Sequence, residues 1–109
     1  MSIKKAQESV SNLFSDITHP RLASFIALTE EIGELANEIM KKEIYEETND
    51  FTKIKDEITD VFVSLLEVAN LYNIDLETAF NEKIENLKPR IKEWNKAKNI
   101  LSKKREKLD

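Results

Sequence analysis

Two long amphipathic stretches decide the fold of this 109-residue chain. Residues 21–43 read RLASFIALTEEIGELANEIMKKE, and residues 52–72 read TKIKDEITDVFVSLLEVANLY. In both stretches apolar residues recur every three or four positions, which places them along one side of an α-helix. Each stretch is therefore predicted to be one helix. The polar residues 44–51 between them are predicted to form a loop, with Asn49 or Asp50 as the cap of the second of these helices.

Further helices are predicted on both sides of this pair. A first helix covers residues 2–15 and ends before Pro20, because a proline disfavours helix in the residue that precedes it. Asp75 is predicted to cap another helix near the C-terminal end. Pro89 is expected to interrupt that helix, and a basic helix is expected to continue to about residue 107.

The composition agrees with a helical protein. The chain has one glycine and two prolines, whereas β-proteins of this size need many turns that use both residues. It is 40% hydrophobic and 35% charged, which is too apolar for disorder and too charged for a membrane protein. The predicted fold class is all-α, a bundle of four to five helices in a single domain over residues 1–109.

Several kinds of site and location are disfavoured by the sequence. No apolar run approaches the ~20 residues of a transmembrane helix, so no membrane partner is expected. The chain has no cysteine, which excludes disulfides and thiolate metal sites. Residues 1–5 are polar and lack the apolar region of a signal peptide, so a cytoplasmic location is expected. The net charge of −4 argues against binding to a nucleic acid polymer.

The charge is distributed unevenly. Ten Lys/Arg and four Asp/Glu lie between Lys83 and Asp109, so this end carries +6 and the rest of the chain carries −10. A polyanion bound at an acidic centre would need both a metal cation and a basic partner. The alternative is that the basic end is simply a solvated helix face.

Four acidic residues border the apolar stripes of the two central helices: Glu31 and Glu34 on the first, Glu57 and Asp60 on the second. Residues three positions apart project side by side from a helix, so each pair presents two neighbouring carboxylates. When the two stripes pack together, the pairs are expected to meet along the edge of the shared seam. Partly buried acids repel one another, and a bound Mg²⁺ or Mn²⁺ would remove that conflict.

These four acids have two other interpretations. They could be ordinary surface acids that pair with nearby lysines, namely Lys41, Lys42, Lys53 and Lys55. They could also belong to a di-iron bundle, but that site requires histidines three residues after glutamates on facing helices, and the one histidine, His19, is in the wrong place.

The acidic motifs resemble those of the MazG-like all-α nucleoside triphosphate pyrophosphohydrolases, relatives of the dimeric dUTPases and dCTP pyrophosphatase. Residues 30–36 (EEIGELA) match the family's Glu-Glu-x-x-Glu motif, and residues 57–61 (EITDV) match its Glu-x-x-Asp motif. Gly33 stands where the family often has glycine. Residues 19–22 (HPRL) resemble the approach to the first motif in the dCTP pyrophosphatase branch. The resemblance covers about residues 18–91.

The resemblance implies that water attacks the α-phosphorus of a nucleoside triphosphate, which yields a nucleoside monophosphate and pyrophosphate. By the same resemblance, Glu31, Glu34, Glu57 and Asp60 are the metal ligands, with Mg²⁺ as the cofactor and Mn²⁺ as a possible substitute. Glu30, Glu31 and Glu34 are the implied catalytic residues, and Glu30 would orient water or support a ligand.

The resemblance also implies residues that bind the substrate. Lys83 and Arg90 match basic positions that contact phosphate in relatives, and His19 could reach the base or sugar, although a turn or capping role is the alternative. The family's asparagine four residues after the lysine is replaced by Leu87, and the aromatic residue often found after the arginine is Ile91. Two aromatic residues could stack on a base or belong to the core or an interface: Tyr72 and Trp94.

Two functions and one assembly are therefore predicted. The leading hypothesis is an enzyme that hydrolyses a nucleoside triphosphate, such as a deoxynucleotide or a modified nucleotide. The alternative is a helical nucleotide-binding or protein-interaction module without turnover. A homodimer or homotetramer is predicted because relatives assemble in this way, and because the two central helices carry more apolar residues than one small core needs.

Overall fold

The computed structural model describes residues 1–16, 18–45 and 51–108. The described residues form four α-helices and no strand, which confirms the predicted all-α class. The prediction that Asn49 or Asp50 caps a helix lies outside the described residues. The helices are α1 (Ile3–Leu13), α2 (Arg21–Glu43), α3 (Thr52–Leu71) and α4 (Leu76–Leu108).

The predicted helix bounds are close to those observed, with one error. The bounds of α2 are as predicted, and α1 and α3 end one or two residues before their predicted ends. The expected interruption at Pro89 is wrong, because α4 continues through it as one helix. A proline removes only one backbone donor from a helix. Helix-forming lysine, arginine, glutamate and alanine residues on both sides favour continued helix.

The described chain divides into two compact units, residues 1–76 and residues 77–109. In the first unit α3 is the central element, since it packs against both α1 and α2. Its Leu66 is almost fully buried and forms a core with two residues of α1, Ala6 and Val10. The second unit is the remainder of α4. The single domain over residues 1–109 stays a prediction.

The end of α3 has a well-defined backbone arrangement. Asn73 adopts a left-handed conformation with φ of 54°, which asparagine tolerates better than most residues. This turn lets the Ile74 N–H bond the carbonyl of Ala69 at 2.9 Å and the Asn73 N–H bond the carbonyl of Asn70 at 3.1 Å. These two bonds form a Schellman motif, which satisfies carbonyls at the helix end and turns the chain towards α4.

A buried glutamine joins α1 to this turn. The Gln7 side-chain amide donates to Asn70 Oδ1 at 3.0 Å and to the Ile74 carbonyl at 2.8 Å, and its Oε1 accepts from the Leu76 N–H at 3.0 Å. Asn70 Nδ2 in turn donates to the Gln7 carbonyl at 2.9 Å. One side chain therefore satisfies polar groups of α3, the turn and the start of α4, so its loss would leave several of them unpaired.

None of the helices, over the residues that the structure describes, has the length and apolar character needed to cross a membrane.

We expect the substitution Gln7→Ala to lower the free energy of unfolding by about 1–3 kcal/mol, because buried partners would lose their hydrogen bonds. Urea denaturation followed by circular dichroism measures this change. Ser9→Ala, at an exposed position of the same helix, is the control and should change stability by less than about 0.5 kcal/mol. Equal stability of the Gln7→Ala variant and the wild type would show that the network does not hold α1 in place.

Candidate metal centre

Three carboxylates meet between α2 and α3. One carboxylate oxygen from each of Glu31, Glu57 and Asp60 lies within 4.8 Å of the others. Glu31 comes from the middle of α2, and the other two come from the first half of α3. The antiparallel arrangement of the helix pair therefore brings together acids that are 26 to 29 residues apart in the sequence.

Two oxygens of this group are buried and have no hydrogen-bond partner in the described part of the chain: Oε2 of Glu31 and Oε2 of Glu57. Most buried polar atoms in proteins have partners, because desolvating an unpaired one is costly. Burial raises the pKa of both carboxyls above their ordinary value of 4.5, and the negative charge of Glu34 raises it further. Asp60 adds to the repulsion at both residues. Among the residues that the structure describes, no donor bonds these two oxygens, and the carboxylates around them concentrate negative charge.

Glu34 lies at the edge of the same group. It is exposed, one turn beyond Glu31 on α2. Its negative charge is one of the causes that raise the pKa of both Glu31 and Glu57. The structure thus places all four of the acids predicted as metal ligands at one site, although the oxygens of Glu34 are not among the three that lie within 4.8 Å of one another.

The donor set fits a hard divalent cation. Mg²⁺ and Mn²⁺ prefer carboxylate and water oxygens, and Mg²⁺ usually keeps several waters when one or two carboxylates bind it. The site offers only carboxylate oxygens, two of them buried and unpartnered. A cation bound there would be coordinated by those two oxygens and would reduce the repulsion among the negatively charged acids.

The remaining residue of the first acidic motif, Glu30, is exposed on α2 and is not part of the carboxylate group. Its catalytic role stays a prediction. Gly33 is also exposed, and a Cβ added there would have no heavy atom within 4 Å apart from the local backbone and chain neighbours. Packing within the chain therefore does not require glycine at this position.

A second polar cluster, which the sequence did not predict, joins the same two helices. Ser24 on α2 is almost fully buried, and its hydroxyl donates to Glu67 Oε1 on α3 at 3.2 Å. His19 Nε2 makes a short contact with Ser24 Oγ and lies 3.3 Å from Glu67 Oε1. Ser24 and Glu67 therefore both contact Nε2 of His19. In a serine protease triad, by contrast, the serine and the acid contact the two different nitrogens of the histidine ring. The observed contacts are those of a residue that joins the start of α2 to α3, and substrate binding by His19 stays a prediction.

The predicted phosphate-binding residues belong to the second unit. Lys83 and Arg90 are exposed on α4. Trp94 is exposed on the same helix and retains 60% of its accessible surface. Their roles toward a substrate stay predictions.

Comparison with known proteins identifies the family. Residues 20–94 match the model of the MazG nucleotide pyrophosphohydrolase domain. This segment contains α2 and α3 with all four clustered carboxylates, and the first part of α4. No curated protein and no solved structure matches the chain. Because the family model covers more than two thirds of the sequence, the chain belongs to the MazG nucleotide pyrophosphohydrolase domain family.

Proposed function

We propose that the protein hydrolyses a nucleoside triphosphate to a nucleoside monophosphate and pyrophosphate with the help of a divalent metal ion. The observation that carries this proposal is the group of three carboxylates, with Glu34 beside it, in which two buried oxygens have no partner among the described residues. A stable fold gains nothing from unpaired buried acids, whereas a site that binds a cation requires them. Membership of the family supplies the class of reaction.

Glu31, Glu34, Glu57 and Asp60 would hold Mg²⁺, or Mn²⁺ in its place. Such an ion, when bound, neutralises phosphate oxygens and lowers the pKa of a coordinated water. The protein holds the four acids close together before the ion arrives, because two packed helices fix their backbones. This arrangement reduces the reorganisation needed when substrate binds, which is how an enzyme stabilises developing charge.

The reaction replaces one bond to the α-phosphorus with another. A water oxygen bonds to the α-phosphorus while the bond from that phosphorus to the bridging oxygen breaks, and pyrophosphate leaves. We assign Glu30 to orient the attacking water and to accept its proton. Lys83 and Arg90 would bind the phosphates and offset the negative charge that pyrophosphate carries away.

We propose further that the protein forms a homodimer or homotetramer. Large apolar residues of the two central helices stay about half exposed in the single chain, so a second copy would remove them from water. They include Phe25, Ile26, Ile32, Ile58 and Phe62, which retain between 46% and 53% of their accessible surface.

Metal binding should be visible as a gain in thermal stability. Mg²⁺ or Mn²⁺ added to metal-free protein at about one hundred times its dissociation constant should add about 2.7 kcal/mol to the free energy of unfolding. Differential scanning fluorimetry over a Mg²⁺ titration measures this gain. In Glu57→Gln most of the gain should disappear, because the neutral amide is a weaker ligand for a hard cation. An unchanged melting temperature of the wild type would contradict the site.

The metal-free protein provides the matched control. The raised pKa of Glu57 means that the folded state holds its proton more tightly than the unfolded state does. The stability that the protonated Glu57 gives the folded state is therefore present below pH 4.5. This stability is lost as the pH rises through the raised pKa of Glu57 in the folded state. Without metal, Glu57→Gln should melt above the wild type near neutral pH and lose this advantage in acid. If Glu57→Gln is less stable than the wild type both near neutral pH and in acid, Glu57 is a structural residue.

Catalysis should depend on Asp60. The nearly isosteric Asp60→Asn should keep the helical circular dichroism spectrum and lower the rate of pyrophosphate release on the order of a hundredfold or more. Asp56→Asn, at an exposed position of the same helix, should retain the wild-type rate. Wild-type protein that binds nucleotide without releasing pyrophosphate would instead indicate the non-catalytic binding module. Release of orthophosphate would indicate attack at a different phosphorus.

Assembly should depend on the exposed apolar surface. Light scattering coupled to gel filtration at micromolar concentration should give the mass of a dimer or tetramer for the wild type. Phe62→Glu places a charge on this surface and should give the mass of a monomer with an unchanged circular dichroism spectrum. A wild-type monomer that hydrolyses nucleotides would contradict the proposed assembly.

A further inference from the structure

A half-open cavity of about 200 Å³ lies beside the Ser24–Glu67 contact, in the first unit. Its wall combines apolar side chains with polar ones, and the charged side chain in it is Glu67. The residues that line it come from α1, from the segment before α2, and from the end of α3: Val10, Ser11, Phe14, Ser15, His19, Glu67, Asn70 and Leu71. A cavity of mixed character and this size suits one small planar polar ring.

One helix that lines the cavity, α3, also carries Glu57 and Asp60 of the carboxylate group, and the Ser24–Glu67 contact links the cavity wall to α2. Ser24 precedes Glu31 by seven residues on α2, and Glu67 follows Asp60 by seven residues on α3. Seven residues are two helical turns, so each step spans about 10 Å along the same side of its helix. The Ser24–Glu67 bond shows that the two helices keep their register over this distance. This spacing is comparable to the reach of a nucleotide from its α-phosphate to the far edge of its base.

Glu67 gives the cavity a specific chemical preference. Its side chain is only 15% exposed, and one oxygen already accepts from Ser24 and faces His19. An ionised carboxylate offers about four acceptor positions, so acceptor capacity remains for a ligand. It attracts N–H donors and repels carbonyl oxygens. An exocyclic amino group would therefore be favoured in this position, and a carbonyl oxygen would be disfavoured.

From this geometry we infer that the cavity is the nucleoside subsite and that Glu67 is its specificity residue. The side chain selects bases with an exocyclic amino group over those with only carbonyl oxygens at the same edge. Phe14, Val10 and Leu71 provide the apolar contacts for the ring. This inference rests on the proposed function, because it uses the carboxylate group as the position of the phosphates.

The matched pair CTP and UTP tests this assignment, since the two bases differ in the amino or carbonyl group at one ring position. The ratio of kcat/KM for CTP to that for UTP, from pyrophosphate release, should be about tenfold or more in the wild type. In Glu67→Gln the ratio should fall towards one, because an amide can donate as well as accept. Glu8→Gln, an exposed glutamate on α1 outside the cavity, should keep the wild-type ratio.

Calorimetric binding of CMP and UMP separates this inference from the proposed reaction. Tighter binding of CMP that is lost in Glu67→Gln would support the subsite even if no triphosphate were hydrolysed. In that case only the proposed reaction would fail. Ser11→Trp, an exposed residue at the cavity wall, should weaken binding of both nucleotides while the circular dichroism spectrum is unchanged.

Three results would overturn the assignment. The first is an equal kcat/KM for CTP and UTP in a wild-type protein that hydrolyses both. The second is a preference for CTP that persists in Glu67→Gln. The third is the absence of turnover together with the absence of CMP binding. In the first two cases the proposed hydrolysis would stand and only the role of Glu67 would be lost.

Discussion

The antiparallel register of α2 against α3 is the constraint on which the rest of the site depends. The Ser24–Glu67 hydrogen bond fixes that register at one end of the pair. Two turns further along, the same register places Glu31 within reach of Glu57 and Asp60. A slip of one residue rotates a helix by about 100°, which would turn these acids away from the seam. The carboxylate group therefore exists only because the apolar packing holds this one alignment.

That alignment has a cost, because it gathers negative charges and leaves two carboxylate oxygens buried and unpaired. Favourable packing elsewhere must offset the repulsion for the metal-free chain to fold. Leu66 packs against α1, and Gln7 satisfies polar groups of the turn that follows α3, so both contribute to this packing.

Much of this architecture can be read from the sequence, because a helix is a local structure with a fixed period. The period predicted the bounds of α2, and the spacing of Glu31 and Glu34 against Glu57 and Asp60 predicted which acids meet. The roles of Gln7 and Glu67 were not predicted, because their partners lie 63 to 69 and 43 residues away. The helical period of one segment does not indicate which residues far away in the sequence its side chains will contact. Only the seven-residue step from Asp60 to Glu67 could have pointed to the second cluster.

The charge distribution indicates that the proposed metal ion would be needed for substrate binding as well as for the reaction. A nucleoside triphosphate approaching the bare carboxylate group would meet like charge, since residues 1–82 carry −10. Under the proposed function, a divalent cation would reverse the local sign where Glu31, Glu57 and Asp60 converge, and would so favour a phosphate group there. Residues 83–109 carry +6, a charge that would attract a polyanionic substrate. Metal binding and nucleotide binding are therefore expected to be positively coupled, with each ligand raising the affinity for the other by the same factor.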